Sequence, residues 1–165
     1  MKRKWLIFLG VFTLLMLTVQ MVGAEGRRHS LRRLRAATAR FHSIPAAQAA
    51  GYDLVPGLDH CFENPGVGAM GYHYINVALL DLDVEPLRPE AMVYYSGRNG
   101  RLRLGAVEYI VPAAEWDAVH TEPPELFGQH FHLNESLGVY TLHAWIWKHN
   151  PAGLFADWNP NVSCP

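Results

Sequence analysis

The sequence lacks the short motifs that identify many enzyme classes. It contains no Gly-rich phosphate loop, no G-x-S-x-G nucleophile elbow, no H-E-x-x-H zinc motif and no C-x-x-C-H haem attachment. A surplus of positive charge is also missing, because the 165 residues carry a formal net charge of −1. A nucleic-acid-binding domain normally presents a basic face, so the charge argues against a nucleic-acid partner.

Cysteine is scarce as well, with Cys61 and Cys164 the only two in the chain. In an oxidising compartment such a pair favours a disulfide over a metal thiolate or a reactive nucleophile. We predict a disulfide that joins the C-terminal tail to the start of the folded domain. Two free thiols, or pairing between molecules, are the alternative.

The first 24 residues have the three-part layout of a secretory signal peptide. A positive start at 2–4 precedes an apolar run at 5–19 and a small-residue exit at 22–24. An uncleaved anchor is the alternative, because about 20 mostly apolar residues can span a bilayer. We therefore predict a secreted, periplasmic or cell-envelope protein with no stable membrane span after signal cleavage.

Residues 25–51 are predicted to form a helical arm that is rich in arginine. Its first helix should begin at Ser30, and the arginines should lie on the polar side, opposite three residues at helical spacing: Leu31, Leu34 and Phe41. Ser43 is the predicted N-cap of a second helix, with Pro45 in its first turn. A solvated surface helix is favoured over a contact with lipid or a polyanion.

Residues 52–165 are predicted to form an antiparallel β-rich domain. Asn99-Gly100 predicts a hairpin turn. Four segments rich in apolar, aromatic and β-branched residues predict strands: 72–80, 92–95, 102–111 and 139–148. The predicted fold class is α+β, with the helical arm packed on a curved antiparallel sheet or small β-barrel.

Strand alternation places three polar side chains among apolar neighbours. Residues two apart share a face, so His73, Glu108 and His143 are predicted to point inward, with Glu108 on the face of Leu104 and Ala106. An unpaired carboxylate there is costly, so Glu108 needs a partner. Two imidazoles and a carboxylate suit a divalent transition metal, which activates water or dioxygen where coordination positions are open. In the alternative, Glu108 accepts a hydrogen bond and only stabilises the core.

A second candidate metal site lies between Gly128 and Glu135. In an extended strand, His130 and His132 point to one face, and with Glu135 they resemble the first metal motif of the cupin family. The usual cupin spacing has one more residue before the glutamate. A pair of exposed histidines on an edge strand is the alternative interpretation.

Aromatic residues near these candidates predict a pocket for a small ligand. An extended strand through His143 places Trp145 and Trp147 on its face, and Tyr74 follows His73 directly. We predict that Tyr74, Trp145 and Trp147 contact the ligand. In the alternative, these aromatic residues are simply part of the core.

Three stretches resemble a group of small exported bacterial proteins of unknown function. They are Met70-Gly-Tyr-His-Tyr74, Ala106-Val-Glu-Tyr109, and the pattern that runs from Trp147-x-x-Asn-Pro-x-Gly-x-Phe155 through a second Asn-Pro to Cys164. The resemblance spans most of residues 38–164. It implies export and a single domain with a cysteine pair, and it implies no activity.

The sequence therefore predicts an exported single-domain protein that binds a metal ion or small ligand in a pocket of His, Glu and aromatic side chains. A metal-dependent enzyme, such as a cupin-like oxygenase or a hydrolase, is one alternative. A structural or assembly protein of the cell envelope is another. The geometric test is whether His73, Glu108 and His143 come within about 5 Å of one another.

Overall fold

The computed structural model describes residues 25–165. The predicted signal peptide, 1–24, lies outside the described residues. The chain begins with a helical region made of three pieces: α1 (25–38), a 3-10 helix (Ala39–His42) and α2 (Ile44–Ala49). Within the described range, no helix is both long and apolar enough to cross a membrane.

The predicted N-cap of the second helix is observed, but the predicted start of the first helix is not. Ser43 is the N-cap of α2, and its side chain accepts a hydrogen bond from the Ala46 backbone N–H, as predicted. Ser30 was predicted to begin the first helix, which is wrong, because the chain is already helical at residue 25. The Ser30 hydroxyl instead donates to the Gly26 carbonyl, one turn earlier.

Seven strands form one antiparallel sheet. They are β1 (Asp53–Leu54), β2 (Phe62–Asn64), β3 (Gly68–Ile75), β4 (Ala91–Ser96), β5 (Leu102–Pro112), β8 (His132–Asn134) and β9 (Val139–Ala144). Their order in the sheet is β1-β3-β4-β5-β9-β8, and β2 also pairs with β3. A short helix α3 (Ala113–Asp117) follows β5, and β6 (Glu125–Leu126) with β7 (Gln129–His130) forms a separate hairpin.

A helical region packed on an antiparallel sheet confirms the α+β class. The sheet is open, which corrects the alternative of a small barrel. Within residues 25–165, β1 and β8 lie at opposite ends of the sheet and do not pair with each other. These two strands contain only two and three residues, too little backbone to complete a closed ring of hydrogen bonds.

Two predicted strands end earlier than expected. β3 ends at Ile75, because Asn76 caps a 3-10 helix (Val77–Leu79) by accepting a hydrogen bond from the Ala78 N–H. β9 ends at Ala144, because the next N–H, that of Trp145, donates to the Leu154 carbonyl in the C-terminal tail.

An irregular register between β4 and β5 changes which residues share a face. Tyr94 pairs with Leu104 and Val93 pairs with Ala106, so one residue of β5 is extra at this point. Because Val93 and Tyr94 point to opposite faces, Leu104 and Ala106 do too. The predicted shared face of Leu104 and Glu108 is therefore wrong, and Glu108 shares its face with Ala106.

The two faces of the sheet are covered by different parts of the chain. The helical region packs on one face through Leu34, Phe41 and Ala47. The C-terminal tail covers part of the other face, where Val162 and Cys164 pack near Trp145. Burial of apolar side chains on both faces stabilises the sheet.

The predicted disulfide between Cys61 and Cys164 is confirmed. It joins the tail to the segment that precedes β2. Asn159 forms an isolated antiparallel bridge with Ala69 of β3. Gly68 permits this close approach, because a Cβ atom there would collide with the Asn159 backbone. The tail is thus attached at two places, to β3 and to the segment before β2.

Candidate metal centre

The sheet brings Glu108 next to His143 and one strand away from His73. Glu108 of β5 pairs directly with His143 of β9 and, on its other side, with Ala91 of β4. Ala91 pairs with Ile75 of β3, and His73 lies two residues earlier on the same face. Neighbouring strands are about 4.8 Å apart. The small side chain of Ala91 leaves room for His73 and Glu108 to meet above β4.

The three predicted metal ligands converge on one point. Nε2 of His73 is 3.4 Å from Oε2 of Glu108 and 3.4 Å from Nε2 of His143. Nε2 of His143 is 3.5 Å from Oε1 of Glu108. One ligand atom from each residue lies within 4.8 Å of the other two. All three side chains are buried, with exposed fractions of 5 % for His73, 6 % for Glu108 and 0 % for His143. The group can hold a metal ion.

Burial and mutual proximity determine the ionisation of the three residues. Burial, helped by the neighbouring His143, lowers the pKa of His73 to about 3, so its imidazole is neutral. Burial raises the pKa of Glu108, although His143 acts in the opposite direction. Burial also disfavours the charged form of His143, but Glu108 and Asp157 outweigh it and raise its pKa. Neutral imidazoles and an ionised carboxylate are the forms that bind metals, so a cation would displace the protons held here.

Asp157 is a fourth member of the site that the sequence did not reveal. Its Oδ1 lies 3.3 Å from Nδ1 of His143, a close contact without the alignment of a hydrogen bond. Its Oδ2 is hydrogen-bonded to Nδ1 of His132 at 3.1 Å. The two histidines lower the pKa of Asp157 against the opposing effect of burial. A carboxylate on the far nitrogen of a metal-binding histidine orients the ring and increases its basicity.

Asp157 is held in place by hydrogen bonds to the backbone on both sides of it. The Asn150 side chain donates to the carbonyls of Ala156, at 3.4 Å, and Trp158, at 3.0 Å. The Trp145 indole N–H donates to the Ala156 carbonyl at 2.7 Å. The sequence contains no periodic pattern from which the path of the tail could be predicted.

A cavity of about 700 Å³ opens beside the candidate metal-binding group of His73, Glu108 and His143. His73, Glu108 and Asp157 line it, whereas His143 lies behind them and is fully buried. The cavity gives the group a route to solvent and space for a molecule of moderate size.

The aromatic residues predicted to contact a ligand lie outside this cavity. Tyr74 points to the opposite face, where its ring packs against Tyr94. Trp147 follows the end of β9 and packs on the helical region, with the Arg35 guanidinium 4.6 Å from the centre of its ring. Trp145 stacks on His143 and holds the tail, as described above. A molecule in the cavity would not contact Tyr74 or Trp147.

His130 and His132, which resemble part of the cupin metal motif, lie in different strands. His132 lies in β8 and lines the cavity, but His130 lies in β7 and pairs with Glu125 in the separate hairpin. The strand is interrupted at Phe131, whose N–H donates to the Pro124 carbonyl. The candidate metal-binding group found within residues 25–165 contains neither histidine.

Comparisons of the chain with protein-family models, curated proteins and solved structures give no match. The resemblance to exported bacterial proteins stays a prediction.

Proposed function

We propose that the protein binds a divalent transition metal through His73, Glu108 and His143. The convergence of their ligand atoms carries the proposal. The separations of 3.4, 3.4 and 3.5 Å are longer than ordinary hydrogen bonds of about 2.7–3.2 Å. Two ligands on a tetrahedral metal, each about 2.1 Å from the ion, lie about 3.4 Å apart.

The chemistry of the donor atoms supports a transition metal over calcium or magnesium. Imidazole nitrogen suits zinc, iron, copper and nickel, whereas calcium and magnesium prefer oxygen ligands alone. Three protein ligands leave at least one coordination position for water or a small molecule. The cavity beside Glu108 would make that position accessible.

We further propose that the protein acts outside the cytoplasm. The disulfide between Cys61 and Cys164 supports this, because such bonds persist in oxidising compartments and are rare in the cytosol. The first 24 residues supply the predicted export signal.

Metal titration of the purified protein tests the proposal. We expect one equivalent of Zn²⁺ or Co²⁺ to bind after chelator treatment, and His73→Gln to weaken binding at least a hundredfold. His42→Gln is the matched control, because His42 packs against Trp147 on the other side of the sheet. Equal metal affinity of the wild type and His73→Gln would contradict the proposed metal site.

A metal-dependent enzyme is the second candidate, and the cavity favours it. Zinc sites with two histidines and a glutamate hydrolyse peptide bonds, and iron sites with two histidines and a carboxylate react with dioxygen. Ester hydrolysis by the Zn²⁺-loaded protein and oxygen uptake by the Fe²⁺-loaded protein would distinguish these activities. Activity that survives in Glu108→Gln would not arise from this site.

A further inference from the structure

The walls of the cavity change in character from its floor to its mouth. Buried residues of the sheet form the floor, and they combine the polar His73 and Glu108 with the apolar Ile75 and Ile110. More than half of the side chains that line the cavity are apolar. A ligand that fills this space would therefore contact mostly apolar side chains, and its polar group would face the buried His73 and Glu108 on the floor.

The mouth of the cavity carries exposed apolar side chains among polar ones such as Glu135 and Ser136. Leu80, Leu133 and Leu137 line it with exposed fractions of 38 %, 49 % and 48 %. They are three of the seven large apolar side chains exposed within residues 25–165. Their concentration around one opening marks a binding surface, because scattered exposed leucines need no explanation but grouped ones do.

Charge restricts the polar group of the ligand. Within the described part of the chain, no lysine or arginine lines the cavity, whereas Glu108, Glu135 and Asp157 do. A divalent cation held by Glu108 beside Asp157 is balanced by these two carboxylates. An additional anion would give the site a net negative charge and would be repelled by these nearby carboxylates.

We propose that the cavity binds an uncharged, predominantly apolar molecule with one terminal oxygen atom, which faces the metal position at His73 and Glu108. This inference rests on the proposed metal site for the position of the oxygen atom. The preference for an apolar, uncharged ligand rests on the cavity walls and is measurable with or without metal.

Calorimetric titration with straight-chain alcohols tests the inference on Co²⁺-loaded and metal-free protein. We expect 1-octanol to bind at least tenfold more tightly than 1-butanol, because each buried methylene adds favourable transfer free energy. We expect octanoate, of the same chain length, to bind at least tenfold more weakly than 1-octanol. Addition of 1-octanol should change the visible absorption of bound Co²⁺, since its oxygen atom lies at the metal.

A matched pair of variants locates the binding site. Leu137→Ser should weaken 1-octanol binding about three- to tenfold, whereas Leu154→Ser should leave it unchanged, because Leu154 is a comparably exposed leucine that does not line the cavity. Both positions are at the surface, so both variants should fold.

Each possible failure has a separate signature. Equal affinity for 1-octanol and 1-butanol, or tighter binding of octanoate, would overturn the inference while leaving the metal site intact. An unchanged Co²⁺ spectrum on saturation with 1-octanol would overturn the placement of the oxygen atom. Failure to bind Co²⁺ would overturn the proposed function. The affinities of the alcohols for metal-free protein would then show on their own whether the cavity binds apolar, uncharged molecules.

Discussion

Nδ1 of His143 lies 3.3 Å from Oδ1 of Asp157, while Nε2 of the same ring faces Glu108. This relationship joins the C-terminal tail to the candidate metal-binding group. The tail carries Asp157, and Asn150 and the disulfide fix the path of the tail. Contacts far from the ligand atoms should therefore influence metal affinity.

Asp157→Asn should lower metal affinity about tenfold to a hundredfold, the usual effect of removing a carboxylate behind a ligating histidine. The ring of His143 would lose the negative partner that orients it and raises its basicity. Competition with a chromophoric chelator measures the change. The unfolding free energy of the metal-free protein should also fall, because the lowered pKa of Asp157 means that the folded protein stabilises its ionised carboxyl group.

Asp117→Asn is the control for this substitution. Asp117 accepts a hydrogen bond from the Tyr140 hydroxyl at 3.0 Å and does not line the cavity. A similar loss of metal affinity in both variants would indicate general loosening of the fold and would contradict a specific role for Asp157.

Glu108→Gln should abolish metal binding at micromolar concentrations without unfolding the protein. The amide has the shape of the carboxyl group, but it lacks the negative charge that holds the cation, and burial already disfavours that charge in the metal-free state. Metal analysis after dialysis and thermal unfolding measure the two effects.

Glu90→Gln makes the same chemical change at another buried glutamate, and it should retain the metal. Full metal content in Glu108→Gln would show that Glu108 is not a ligand. Loss of metal in both variants would instead point to an indirect effect on the sheet.

The sequence allowed prediction of the three ligands because each lies in a regular strand. Alternation along β3, β5 and β9 put His73, Glu108 and His143 on the buried side, and the register of the sheet then brought them together. The error at Leu104 arose from one extra residue in β5. Such an irregularity depends on the pairing with β4 and leaves no signal in the alternation itself.

Asp157 and the cavity could not be predicted in this way. Asp157 lies in an irregular tail, whose path depends on hydrogen bonds from Asn150 and Trp145 and on the bond between Cys61 and Cys164. These contacts are distant in sequence or involve single side chains. The predicted position of Trp147 on the strand face of His143 is wrong for a related reason, because β9 ends at Ala144.

The disulfide should contribute strongly to stability and also to metal affinity. Cys61 and Cys164 are 103 residues apart, for which the chain-entropy relation gives about 4–5 kcal/mol, with about 2–5 kcal/mol typical on removal. The Cys61→Ser/Cys164→Ser double variant should show this loss in urea unfolding. It should also bind metal more weakly, because the tail that carries Asp157 is released from one of its attachments.

Reduction of the wild-type protein under native conditions provides a second measurement without any substitution. It should reproduce both effects of the double variant. Unchanged metal affinity in the reduced protein, together with lower stability, would show that the hydrogen bonds of Asn150 hold Asp157 without help from the disulfide.

Glu90 provides a test of the electrostatics at a carboxyl group outside the proposed set of metal ligands. It is buried, and its Oε2 accepts a hydrogen bond from the Ile110 N–H at 2.9 Å. Burial raises its pKa from 4.5 to about 8, against the opposing effect of hydrogen bonding, while Asp81 and Glu108 act in the same direction as burial. At neutral pH the carboxyl group is therefore protonated in the folded protein and ionised in the unfolded chain.

The sign of the resulting pH dependence follows from proton binding. Between pH 4.5 and about 8 the folded state holds a proton on Glu90 that the unfolded state releases, so the unfolding free energy falls as pH rises. With about 1.4 kcal/mol per pKa unit, the loss should amount to a few kcal/mol. Urea unfolding of metal-free protein between pH 5 and 9 measures it.

Glu90→Gln should remove this part of the pH dependence, because an amide stays neutral throughout the range. The variant should equal the wild type near pH 5 and exceed it in stability near pH 9. Glu115→Gln, on the exposed side of α3, should keep the wild-type profile. If Glu90→Gln loses as much stability between pH 5 and 9 as the wild type does, another group releases the proton, and the assignment to Glu90 is wrong.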